Sequence, residues 1–146
     1  MFTESVSVKG NLEVVLLDEN GNQKDFRKVN NLVVAVGKDV IASRLLGNSI
    51  PVMSHMAVGS SGTAAATSQT ALGGELGRVS FDSATRSSNT LTYVATFPAG
   101  TGTGSLAEAG IFNAASSGNL LCRTTFSTVT KASGDTIVVT WNVTVA

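Results

Sequence analysis

Glu75, Arg78, Glu108 and Arg123 each sit inside an otherwise apolar or small-residue stretch, where a charge needs a reason. One reason would be acid catalysis. A carboxylic acid that protonates a leaving group works with a second carboxylate, as glycoside-cleaving sites do. No second acid is placed by the sequence to share work with Glu108. The alternative is architectural. In EAGIFNAASSGNLLCR a hairpin turning within NAASSG brings Glu108 opposite Arg123, as a charge-assisted pair that fixes register. Glu75 and Arg78, three apart in ELGR, can brace the same sheet. We therefore expect structural polar pairs and no catalytic residue.

The remaining reactive side chains point the same way. His55 is the only histidine, so every nucleophile–base arrangement must use it, and no second His completes a zinc set. Ser54 is its neighbour, but neighbours on a strand face opposite ways, which predicts that the two do not meet. The single cysteine, Cys122, lies in an apolar alternating run and reads as a small buried hydrophobe, inert as a thiol. Residues 59–78, GSSGTAAATSQTALGGELGR, raise a phosphate-loop question. No Lys occurs between Lys38 and Lys131, and Gly59, Gly62, Gly73, Gly74 and Gly77 lack the dinucleotide spacing. The segment reads as a surface connection of small side chains that can lie flat on a sheet or under a neighbouring subunit. No cofactor and no metal are expected.

The elements that must carry these residues are mostly strands. LEVVLL and KDFRKV flank Asn20-Gly21, a strong hairpin signal, so the chain opens with a β-hairpin over about 5–30. A change of period in NNLVVAVGKDVIASRLLGN gives one helix near 32–46, with Gly47 as its stop. The β-branched residues at its start leave a strand open at 32–35. Beyond residue 50, short runs alternate with the turn clusters ATRSSN, PAGTGTGSL, AASSG and TKASGD. In the last run Ile137, Val139, Trp141, Val143 and Val145 share one face, which makes Trp141 a core anchor. Tyr93 and the phenylalanines are too scattered in alternating strands to form a stacking platform. About eight strands without alternating helices predict an all-β, antiparallel β-sandwich, jelly-roll-like, as a single domain over 1–146.

Composition limits the partners. Ten basic residues balance ten acidic ones, so the field that gathers nucleic acid or anionic lipid is missing. No run approaches the ~18 apolar residues of a membrane span, and MFTESVSVKG lacks the apolar core of a secretory signal. Charged residues make up only 14% of the chain, the composition of a surface hidden in an assembly.

Several blocks carry a more specific signal. VNNLVVAVGKDVIASRL, SHMAVGSSGTAAATSQTALGGELGRV, LTYVATFPAGTGTG, EAGIFNAASSGNLLCRTTF and TIVVTWNVTV follow one another over nearly the whole chain from residue 29. This succession resembles small virion structural proteins of tailed bacteriophages. Related sequences look like capsid decoration, or cement, proteins in some phages and like tail or fibre components in others. The resemblance implies a non-enzymatic protein of the virion, made in the host cytoplasm. Its implied partners are the phage major capsid protein and further copies of itself, as a dimer or trimer, with no direct nucleic-acid or membrane contact. Residues 59–74 would then be an assembly surface.

Overall fold

The computed structural model describes residues 3–146. Its opening hairpin pairs β1 (Val8–Leu17) with β2 (Gln23–Asn30) around a loop closed by Asp18. The Asp18 carboxylate accepts the N–H groups of Asn20 and Asn22 at 2.9 Å. Those two bonds favour its ionised form, so burial's opposing effect loses and the Asp18 pKa lies below the usual carboxylate value.

The helix is shorter than the period alone suggests. Leu32–Val33 forms a two-residue strand, β3, paired with Arg123 and Cys122, and the helix α1 follows at Ala35–Leu45. The β-branched start of the segment thus goes to the sheet, the alternative its residue types had left open. Gly37 sits inside α1 because the helix crosses a strand backbone there: a Cβ would lie 2.1 Å from the Leu121 carbonyl oxygen. The stop at Gly47 is as expected, with Asn48 N–H bonding Ser43 and Gly47 N–H bonding Arg44, the paired bonds of a Schellman motif.

The rest of the chain is β: β4 (His55–Gly59), β5 (Glu75–Ser80), β6 (Ser83–Ser87), β7 (Thr90–Phe97), β8 (Gly104–Phe112), β9 (Leu120–Lys131) and β10 (Thr136–Val145). Two five-stranded antiparallel sheets result, ordered β2-β1-β10-β7-β6 and β3-β9-β8-β4-β5, and they pack as a β-sandwich. The strand count exceeds the expected eight. One extra strand, β6, lies in SATRS, most of which reads as a turn cluster. All five of its residues are exposed, so it has no dry face to leave an alternating signature.

Between the sheets lie Leu12, Val14, Phe97, Ile137, Val139 and Trp141 from one side and Met56, Val58, Leu106, Ala109 and Ile111 from the other. Trp141 is fully buried, and its indole N–H donates to Asn31 Oδ1 at 2.8 Å. The expected dry face of β10 holds from Ile137 to Val143, while Val145 at the strand end is 40% exposed. Most aromatic rings are inside, but Phe26 on the edge strand β2 is exposed.

The two outer faces differ. The outer face of the β1–β10–β7 sheet is open, so its strands alternate buried with half-buried residues. Every residue of β8 from Leu106 to Phe112 is buried, because its sheet is covered on both sides. The cover is the segment between β4 and β5. Leu72 from that segment joins Val34, Ala57, Phe112 and Leu120 in a second small core.

Candidate functional site

A fifteen-residue connection of Gly, Ala, Ser, Thr and Gln with a single Leu, the buried Leu72, has little apolar surface to hold itself flat, so polar groups must do most of that. Glu108 and Arg123 do so from beneath. The Glu108 carboxylate, fully buried on β8, accepts Ser61 N–H at 2.8 Å and Gly74 N–H at 2.7 Å on Oε2, and Gly73 N–H at 2.8 Å on Oε1. Arg123 on β9, 1% exposed, donates from Nε to Glu108 Oε1 at 3.1 Å. Its other nitrogens reach the Thr63 carbonyl at 2.8 Å, Gln69 Oε1 at 3.1 Å and the Ser61 carbonyl at 3.3 Å. Gln69 in turn accepts Ala66 N–H and donates to the Ala64 carbonyl, closing the loop on itself.

The pair therefore forms as the sequence suggests, but in a shifted register. Glu108 stands opposite Thr125, and Arg123 stands opposite Gly110. The irregularity at Ile111/Phe112, between the turn and the pair, shifts the register, and the two side chains meet diagonally. Gly110, opposite Arg123, leaves room for Leu72 and Leu120, each of which would lie 2.9 Å from a Cβ there. Glycine is also required at Gly59, where a Cβ would lie 2.4 Å from the Gly74 carbonyl oxygen, because the segment's two ends close there. A carboxylate with four donors and no exposed surface has no oxygen to offer a substrate. Its work is to hold residues 60–74.

Arg78 and Glu75 form a second, shallower pair. Arg78 Nε and a terminal nitrogen reach the two Glu75 oxygens at 3.1 and 2.6 Å. The same guanidinium bonds the Ala114 and Ser117 carbonyls and lies 3.7 Å over the Phe112 ring. It thus ties β5 to the turn after β8, the bracing expected of it.

The sequence misplaces Ser54. It precedes β4, so strand alternation does not apply to it, and its hydroxyl lies 2.7 Å from His55 Nδ1. Among the described residues no carboxylate hydrogen-bonds His55, so the contact lacks the third group that orients a catalytic histidine. Also among the described residues, no three His, Cys, Asp or Glu side chains converge on a common point.

Two groups carry no sequence signal. Lys131, 1% exposed at the end of β9, donates to the Pro98 carbonyl at 3.0 Å, and burial lowers its pKa against the opposing pull of Asp135. Asp135 accepts Lys24 at 2.7 Å and Ala132 N–H at 2.9 Å, which hold its pKa below the usual range. Only the fold brings Lys24, on the first hairpin, to the last turn.

Cys122 is buried, and desolvation pushes its thiol pKa far up. The native protein should therefore fail to react with a thiol-specific disulfide reagent at neutral pH, and should react fully once unfolded in denaturant. Rapid labelling of the native chain would show that Cys122 is reachable.

With the geometry established, comparison with known proteins gives no match: no protein-family model, no curated protein and no solved structure is similar to this chain.

Proposed function

We propose that this chain is a bacteriophage capsid decoration, or cement, protein that binds the major capsid protein lattice and stabilises the DNA-filled head. The observation that carries the reading is the state of residues 60–71. They are almost entirely exposed or half-exposed, contain no charged residue, and are held flat by the buried Glu108–Arg123 pair. A contact surface that is already ordered loses little conformational entropy on docking, and small uncharged side chains desolvate cheaply. The resemblance to small virion proteins supplies the setting. In it the chain is a binder without turnover, present as a homo-oligomer, and its effect is contact area multiplied by copy number.

The test is particle stability. Standard interfaces bury ~1,200–2,000 Å² each, and each bound copy favours the assembled shell by mass action. Particles lacking the protein should assemble, yet lose DNA at lower temperature or under osmotic shock, and adding purified protein should restore resistance. Because the net charge is zero, rebinding should weaken only modestly from low to physiological salt. Heat-resistant heads that fail to adsorb, or a stoichiometry too low to cover the lattice, would place the protein in the tail or fibre instead.

A further inference from the structure

A β-sandwich of two open sheets has four edge strands, and edges that stay unpaired in solution carry devices that block pairing. Three of the four edges here carry one. β2 holds Lys24, Asp25, Arg27 and Lys28, and Arg27 folds across to the Ser127 and Thr128 carbonyls of the opposite sheet. β3 is two residues long and runs into α1. β5 carries the Glu75–Arg78 pair and a register shift at Val58/Gly59.

The fourth edge, β6, has none of these. Its register with β7 is unbroken over Ser83–Ser87, every residue is exposed, and SATRS contains no acid, lysine, glycine or proline. Its one charge, Arg86, is drawn toward the following turn by a bond from its guanidinium to the Ser88 carbonyl at 2.8 Å.

We propose that β6 is the pairing edge for a second copy of this chain, joined antiparallel about a two-fold axis at Thr85. The sequence of the strand is self-complementary in that register. Thr85 faces its own copy, Ser83 faces Ser87, and the long Arg86 faces the small Ala84, so no like charges stand opposite. Pairing joins two five-stranded sheets into one continuous sheet of ten, with main-chain hydrogen bonds supplying the affinity. Ser83, Thr85 and Ser87 would extend a polar uncharged ladder already present on that face, where Thr90 meets Thr144 and Thr92 meets Asn142. A five-residue contact is below standard interface size, so the dimer is a concentration-dependent one. A lattice that holds copies side by side would fill it. The inference deepens the self-association part of the reading above and uses none of the capsid contacts.

The experiment therefore needs only the purified full chain. Sedimentation over a wide concentration range should show a monomer–dimer equilibrium. Ala84→Pro should weaken dimerisation by about tenfold or more, while Trp141 fluorescence and circular dichroism stay native, because the two-residue turn at Ser88–Asn89 puts the Thr85 N–H on β7 and the Ala84 N–H on the open edge, where a strand tolerates proline. Thr85→Cys should form an intermolecular disulfide on mild oxidation. Ser83→Cys alone should not, but should cross-link when mixed with Ser87→Cys. A chain monomeric at every concentration would overturn the proposal, as would a dimer indifferent to Ala84→Pro or a failure of the position-85 cross-link. None of these outcomes bears on whether the chain binds a capsid, which the particle experiment decides separately.

Discussion

Replacing Trp141 by Ala should cost about 3–5 kcal/mol of folding stability. The side chain is the largest of the fully buried ones, it stands between the two sheets on the central strand β10, and its neighbours across that strand are Leu12 and Tyr93. Two losses add. The cavity left by the ring is one, and the other is the indole N–H bond to Asn31, whose amide is tucked under Gly10 so closely that a Cβ there would overlap its oxygen. Trp141→Phe separates the two. It refills most of the volume and should cost only the unpaired Asn31 carbonyl, about 1–3 kcal/mol. Denaturant unfolding followed by circular dichroism measures both. Wild-type emission should be that of a buried indole, cleanly so because the chain has one tryptophan. An Ala variant within about 1 kcal/mol of wild type would show that β10 does not anchor the core.

The alternation of β10 and the Asn20-Gly21 hairpin were legible because each has one dry face and one wet face, the condition under which a period of two is written into sequence. Where that condition fails, so does the reading. β6 is wet on both faces and passes for a turn. From Leu106 to Phe112 β8 is dry on both faces, and only its end, the first five residues of EAGIFN, stood out. The start of α1 was blurred for a related reason: its contact with β9 is backbone to backbone at Gly37, so the helix carries little apolar stripe.

The Glu108–Arg123 pair was legible as an anomaly, two charges among apolar neighbours. What the pair holds was not. Ser61, Thr63, Gln69, Gly73 and Gly74 contribute mostly backbone groups, and a backbone N–H leaves no trace in residue type. The diagonal register was hidden for the same reason, since it comes from a strand irregularity and not from side-chain identity. The Ser54–His55 contact was missed because the strand starts one residue later than the alternation argument assumes.

Arg123→Met should cost about 3–5 kcal/mol, because it leaves the Glu108 carboxylate buried without its counter-charge. The three backbone N–H groups on Glu108 remain, so the chain should still fold, but the carbonyls of Ser61 and Thr63 lose their donor. Glu108→Gln should cost a similar amount, about 3–5 kcal/mol, since it leaves the buried Arg123 guanidinium without its counter-charge and turns an amide NH2 toward donors that an oxygen had accepted. The double variant Glu108→Gln with Arg123→Met removes both charges together. Its cost should fall short of the sum of the single costs by about 0.5–3 kcal/mol, the signature of direct coupling. Strictly additive costs would mean that each side chain serves the segment independently. A second readout tells a local clamp from general core damage: amide exchange at Ser61, Gly73 and Gly74 should accelerate in all three variants well before the amides of β10 respond. If exchange instead rises uniformly across both sheets, the pair supports the sandwich as a whole. In the expected case, residues 60–74 become mobile on a fold that is otherwise intact. The cement reading then makes a demand of its own: the double variant, still folded, should rebind particles more weakly, because the order of its contact surface must be recovered at the moment of docking.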